Sequence, residues 1–320
     1  MKQNNKFLIG ILMCLVAVVA WGGMFPVMGS ALKVMDPFYF TLFRYGIASI
    51  IFVFLLTKQE GKKKLSPDGA FKKVTFLGTM GFAGFSFLVF LGQQLAGQSG
   101  AVIAAVIMAV QPLLGALVLL VTKKIVPKPL TFFFMVSGLV GVVMVISKGD
   151  LSVFVSEDTN LLAYLFILLG ALCFVIYTMG AGTFPGWSPL RYSAVTSIFG
   201  TISITVIVGL ATFIGWLKVP TLTMVQDISG ELMYMSLIAG VMAFFAWNIG
   251  NKIITPINGI LFMNMVPVTT FIISVIQGYQ LTTFELIGAL ITIASLVGNN
   301  LYVRKVNHRT SAQTKLRAAQ

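Results

Sequence analysis

From Pro37 to Lys64 the chain reads PFYFTLFRYGIASIIFVFLLTKQEGKKK. A proline opens an apolar run that ends at Thr57, Lys58 and Lys62 to Lys64 close it, and Arg44 alone puts a charge inside it. About 20 apolar residues carry a helix across the hydrocarbon core of a bilayer, so the stretch reads as one membrane span with a basic exit. The same reading along the chain gives ten spans: Phe7 to Ala31, Pro37 to Thr57, Val74 to Ala96, Ser99 to Thr122, Pro129 to Ser147, Leu161 to Gly182, Leu190 to Leu217, Leu232 to Gly250, Ile254 to Gln277 and Phe284 to Val303. No charge separates the third from the fourth, and only Gly97-Gln98-Ser99-Gly100 signals a turn there.

The cations then sort by gap. Every second gap, together with the two ends, holds Lys2, Lys6, Lys58, Lys62, Lys63, Lys64, Lys72, Lys73, Lys123, Lys124, Lys128, Arg191, Lys252, Arg304, Lys305, Arg309, Lys315 and Arg317. The other gaps hold Lys33, Lys148 and Lys218. Basic residues resist translocation while acids orient weakly, so both termini are expected in the cytoplasm, in the inner or plasma membrane of the cell. Losing the turn at Gly97 to Gly100 would leave nine spans and put the basic tail outside, against this bias.

Composition agrees. With 58% hydrophobic and 10% charged residues and mean hydropathy +0.96, the 320-residue chain carries too much apolar surface for one water-soluble core. The net charge of +13 lies in short loops and a tail beside apolar runs, where anionic lipid and not nucleic acid is the expected partner. Cys14 and Cys173 fall inside spans, which indicates neither a disulfide framework nor a metal site. Lys2 and Lys6 precede an apolar run like that of a signal peptide, but the run continues to Met28 without a small-residue cleavage site and reads as a retained span.

The chain also repeats itself. Trp21 stands sixteen residues before Pro37 and Cys173 sixteen before Pro189, while Gln111-Pro112 in the fourth span matches Val266-Pro267 in the ninth. The offsets, 152 and 155 residues, divide the chain into five-span units at 7–147 and 161–303, followed by a basic cytoplasmic tail at 304–320. Because five is odd, the second unit enters the membrane inverted. The fold expected is therefore an all-α polytopic membrane protein of ten transmembrane helices in two inverted five-helix repeats, with a site near the midplane whose access alternates as the halves rock.

Trp21-Gly22-Gly23 in the first span, then Pro37 and Phe43-Arg44-Tyr45 in the second, resemble signatures of EamA-type members of the drug/metabolite transporter superfamily. The small-residue fourth span, from Gly100-Ala101-Val102-Ile103-Ala104-Ala105 to Gln111-Pro112-Leu113, is similar to that family's repeat end. So are Gly259-Ile260-Leu261, Val266-Pro267 and the run from Glu285 to Ile291. The resemblance covers residues 7 to 303 and implies a carrier of small metabolites, often an exporter of amino acids or related compounds. It also implies a cavity framed by the third, fourth, eighth and ninth spans, with the first, second, sixth and seventh as gates. Where members commonly carry a Gly-Glu pair after the fourth and ninth spans, this chain has Lys123 and Tyr279.

Candidate residues follow from the cost of polarity in lipid. Arg44 lies seven residues past Pro37, about 10 Å along the helix, and an arginine at the bilayer centre costs roughly 2.5–3.5 kcal/mol. Two readings stand: an anchor for a substrate carboxylate or phosphate through its bidentate fork, or a structural group that snorkels or bonds backbone carbonyls. No Asp, Glu, Lys or His lies in the interior of a span, so no buried carboxylate is expected to couple transport to protons. Amides are then expected to line the pathway: Gln93, Gln94, Gln98 and Gln111 in one half, Asn248, Asn251, Asn258 and Asn264 in the other, with interhelical hydrogen bonding as the alternative role. Trp21, Tyr45, Tyr177 and Trp247 are placed to cage an organic substrate, whereas Trp187 and Trp216 read as interfacial anchors. Pro26, Pro112 and Pro267 are hinge candidates because proline breaks the helical ladder. Gly78, Gly81 and Gly84 form a smooth strip for close helix packing.

Several classes drop out. Intramembrane hydrolases need an Asp pair, a Ser with His or Lys, or metal ligands, and the sole histidine, His308, lies in the tail. There is no Walker-type phosphate loop, and no cofactor is expected. The alternatives to a metabolite carrier are a lipid-linked headgroup translocase and a passive channel of the same fold. Oligomeric state is not legible.

Overall fold

The computed structural model describes residues 2–124, 126, 128–150 and 160–318, and among these there is helix but no strand. Six helices are long and apolar enough to cross a membrane: Lys6–Ala31, Pro37–Gln59, Phe71–Leu95, Leu161–Thr183, Pro189–Phe213 and Ser229–Ile254. A bent pair, Gly97–Met108 and Gln111–Thr122, and three shorter apolar helices, Pro129–Val145, Met265–Ile276 and Thr283–Asn299, bring the ordered spans to ten.

Local chemistry sets the starts. Asp36 accepts from the backbone N–H of Phe38 and Tyr39 ahead of Pro37, and Ser188 accepts from that of Arg191 ahead of Pro189. Both follow the rule of an oxygen-bearing cap followed by proline, whose missing N–H is surplus at the first helical position. The tenth span opens on a capping box: Thr282 N–H donates to Glu285 Oε2 at 2.8 Å and Glu285 N–H donates to Thr282 Oγ1 at 3.2 Å.

Boundaries differ from expectation where packing extends a helix. The third span begins at Phe71 and takes in Lys72 and Lys73. The seventh ends at Phe213, leaving Trp216 exposed. The eighth runs through Ile254, where the ninth was expected to start, and Thr255 at φ +76° turns the chain into Pro256. The tenth helix continues to Ala318, so the expected tail is helical over its described length, with 319–320 outside the described residues.

Irregular turns recur at matching places in the two repeats. The third span contains a π segment at Thr79–Gly84 and the eighth one at Tyr234–Met242, and their starts are 155 residues apart, the same offset as Pro112 and Pro267. Wide turns of this kind concentrate at functional sites. The fourth span breaks after Met108 and restarts at Gln111, with Pro112 in its first turn and a 47° bend. The ninth passes from Pro256–Gly259 through a 3-10 stretch, Ile260–Asn264, into Met265–Ile276. Pro26, in contrast, sits inside an unbroken helix. Proline has no N–H for the carbonyl four residues back, and Thr270 Oγ1 of the ninth span donates to that carbonyl, Gly22 O, at 2.7 Å.

The repeats interlock: the first span packs on the eighth and ninth, the second on the seventh and the third on the sixth, while the fifth and tenth lie along each other. The glycine strip of the third span packs on both the sixth and the seventh. A Cβ on Gly78 would overlap the Thr196 carbonyl, one on Gly81 the Tyr177 ring, and one on Gly84 would press on Cys173 Sγ.

Candidate functional site

Near the middle of the bundle, Trp21, Met24 and Phe25 of the first span, Phe85 of the third, Met108 and Gln111 of the fourth, Phe174 of the sixth, Phe244 of the eighth, and Met263 and Val266 of the ninth line a chamber of about 20 Å³. That volume holds about one water. Rings fill the space around it: Trp21 meets Phe174 at 5.3 Å, Phe244 at 5.5 Å and Trp247 at 5.2 Å, all edge to face. Phe82 stacks on Phe244 at 5.0 Å. The wall offers one amide, Gln111, whose Nε2 donates to Met108 Sδ at 3.2 Å and whose buried Oε1 has no partner.

A second cavity, of about 270 Å³, lies at the lysine-rich end, lined by Phe184, Trp187, Ser188, Tyr192, Asn248, Asn251, Lys252 and neighbouring residues. Between it and the chamber stands a polar and aromatic layer. Asn248 Nδ2 donates to Tyr177 Oη at 3.1 Å and to Ser193 Oγ at 2.7 Å. Trp247 Nε1 donates to Thr178 Oγ1 at 3.2 Å, and Tyr192 Oη donates to the Tyr177 carbonyl at 2.7 Å. Tyr177 also touches both Phe174 and Phe244, so the layer spans from the vestibule to the chamber wall.

The lysine-rich rim is tied across repeats. Arg191 donates to the Lys64 and Ser66 carbonyls and pairs with Asp68 at 2.6 Å, with its guanidinium carbon 4.3 Å from the Trp187 ring centre. Trp187 is therefore not the interfacial anchor expected from its place at a span end: it is buried and lines the vestibule.

Toward the opposite end, different contacts join the repeats among the described residues. Trp21 Nε1 donates to the Ala239 carbonyl, and Arg44 Nε donates to the Met235 carbonyl, each at 2.9 Å and each inside the π segment of the eighth span. Tyr234 Oη returns a bond to the Ala20 carbonyl at 2.7 Å. Farther out, Tyr279 Oη donates to Glu285 Oε1 at 2.7 Å, and Lys148 approaches the same carboxylate at 3.8 Å. Burial pushes the Tyr279 phenol up to about 12, so it remains a donor at neutral pH. Glu285 is fully buried although it stands at the edge of its span, and the capping box, Tyr279 and Lys148 explain how.

Of the residues singled out by sequence, Trp21 and Gln111 line the chamber, Trp247, Tyr177 and Tyr45 belong to the rings around it, and Asn248 links layer to vestibule. Gln93 holds the first span instead, donating to the Phe25 carbonyl at 2.8 Å. Gln94 and Gln98 are exposed, and Asn258 bonds back to Ile254 O and Thr255 Oγ1 in its own turn. Asn264 falls in the 3-10 stretch of the ninth span, and its side chain lies outside the described residues. The aromatic and thioether walls that sequence reasoning missed are Met24, Phe25, Phe85, Met108, Phe174, Phe244 and Met263, indistinguishable in pattern from the rest of the 27 Phe and 16 Met.

Comparison with known proteins fits this architecture. The profile of the EamA-like transporter family matches residues 8–147 and again 161–301. The chain is 41% identical over 313 residues to the uncharacterized transporter YrdR of Bacillus subtilis (strain 168), covering 98% of this chain and 97% of that one. It is 28% identical over 285 residues to the uncharacterized transporter YyaM of the same strain, covering 85% and 87%. A solved crystal structure superposes with TM-score 0.65 at 19% identity, covering 96% of this chain and 99% of its own, a likeness of fold. The chain belongs to the EamA-like transporter family of the drug/metabolite transporter superfamily.

Proposed function

We propose that this transporter carries a small, partly apolar metabolite bearing an N–H donor, such as an amino acid or related compound, by alternating access to the central chamber. The observation that carries the reading is the unpartnered Gln111 Oε1 in a wall otherwise made of aromatic and thioether side chains. A buried amide oxygen without a donor favours a ligand that brings one. The chamber is too small for a metabolite in this state, so binding requires the rings to part, and the irregular turns of the third, fourth, eighth and ninth spans are where helices yield most readily. The Tyr177–Asn248 layer serves as the gate toward the vestibule.

The lysine distribution supports a cytoplasmic vestibule and cytoplasmic termini in the plasma membrane, with anionic lipid beside the basic loops, and the family resemblance supports export as the working direction. A thermal-shift screen of the purified protein against amino acids, nucleosides, sugars and phosphorylated metabolites tests the substrate class. Amino acids or amines should raise Tm in the native chain and lose that effect in Gln111→Leu. Stabilisation by sugars or phosphates alone would refute the assignment.

One observation favours a second reading, translocation of a lipid-linked headgroup. An apolar groove of about 830 Å³ runs between the third, fourth and sixth spans and shares Gly182, Thr255 and Pro256 with the vestibule. A headgroup could enter sideways while its chain stays in lipid. Transbilayer movement of a labelled lipid-linked sugar in proteoliposomes would favour this reading over the first.

A further inference from the structure

Arg44 is a fully buried cation without a counter-charge among the described residues. Of its three guanidinium nitrogens only Nε is bonded, to the Met235 carbonyl, and both terminal nitrogens are buried without a partner. The titratable groups facing it are the phenols of Tyr45 and Tyr234, and among the described residues no carboxylate lies within salt-bridge distance. The rings of Tyr45 and Phe90 lie 4.7 and 5.6 Å from its guanidinium carbon. Such faces attract a cation but accept no hydrogen bond in the plane of the fork.

Two hydroxyls on the same two spans are orphaned as well. Thr41 Oγ1 and Ser236 Oγ are fully buried with no hydrogen-bond partner. Gly240 of the eighth span lies against Ala48 of the second. The two spans run the same way, so Ser236, four residues before Gly240, comes level with Arg44, four before Ala48. Thr41 stands one turn further along the same face of the second span. The two terminal NH2 groups of Arg44 and two hydroxyls able to donate, all unpartnered, thus fall on the facing sides of the second and eighth spans. The chamber wall is made by other residues.

We propose that Arg44, Thr41 and Ser236 bind one small monovalent inorganic anion, chloride under physiological conditions, as the missing counter-charge. Donors of this kind suit a halide, which accepts from several N–H and O–H groups at once. The Tyr45 and Phe90 rings beside the guanidinium disfavour a divalent ion, whose hydration shell is harder to strip. The ion holds the π segment of the eighth span against the second span, on the side away from the vestibule.

The test is thermal unfolding of the purified full-length protein in sodium chloride, bromide, acetate, sulfate or gluconate at equal ionic strength. Chloride and bromide should raise Tm saturably over gluconate by roughly 2–5 °C, with acetate and sulfate giving little. Thr41→Val and Ser236→Ala keep size and fold, and each should raise the half-saturating chloride concentration about tenfold. Arg44→Gln should be insensitive to chloride if it folds; if it does not, the two hydroxyl variants decide. Equal Tm in chloride and gluconate overturns the proposal. So does a chloride effect unchanged in both hydroxyl variants, or stabilisation by acetate alone, which would assign the donors to an organic carboxylate. No transport is measured, so the outcome is independent of the substrate assignment.

Discussion

Gly81 and Gly46 differ by what surrounds them. A methyl group on Gly81 would run into Tyr177, whose ring is fixed between Phe82, Phe174 and Tyr192, whereas one on Gly46 meets nothing within 4 Å. Gly81→Ala should therefore lower stability by about 1–3 kcal/mol, while Gly46→Ala should be neutral or gain up to about 1 kcal/mol from helix propensity. Thermal unfolding in detergent compares them, and equal effects would contradict the packing. Tyr177→Phe removes the oxygen that accepts from Asn248, while Ser193 still receives the second amide hydrogen. In a background without Cys14 and Cys173, a cysteine at Gln111 should then react faster with a thiol reagent added from the vestibule side; an unchanged rate would mean that the layer is not a gate.

At the level of elements, the first and ninth spans are joined where proline leaves a gap. Thr270→Val strands the buried Gly22 carbonyl and should cost about 1–3 kcal/mol. Pro26→Ala restores the backbone donor, so in the double variant the loss should shrink by at least about 0.5 kcal/mol, a coupling that a double-mutant cycle measures. Strict additivity would deny the link. These joints also show where reading the sequence stops. Pro112 was visible as a break and the glycine strip as a close approach, because proline and glycine act through their own backbone. The π segments at Thr79–Gly84 and Tyr234–Met242 contain glycines but no residue that by itself calls for a wide turn, since such a turn is settled by what packs against it. Gln94 and Gln98 read like Gln111 by composition, and only the tertiary fold separates an exposed amide from one in a chamber. Likewise Trp187 and Glu285, at span ends where polarity and aromatics usually face the interface, were drawn inside by Arg191 and by the capping box.

For the whole molecule, hydropathy and proline offsets made the ten spans and their duplication legible, because both follow from bilayer thickness and from local backbone chemistry. The chamber was not, since its walls are ordinary core residues. Orientation is tested by fusing a reporter that fluoresces only in the cytoplasm to the C-terminus: bright cells are expected, and dark cells with intact protein in the membrane would reverse the assignment. One chamber is expected to open in turn to each face. Counterflow of a stabilising ligand in proteoliposomes tests it most directly: preloading with unlabelled ligand should drive a transient, saturable overshoot of labelled ligand inside, abolished by Gln111→Leu. Flux that equilibrates without overshoot and never saturates would mean a continuous pore and contradict the account.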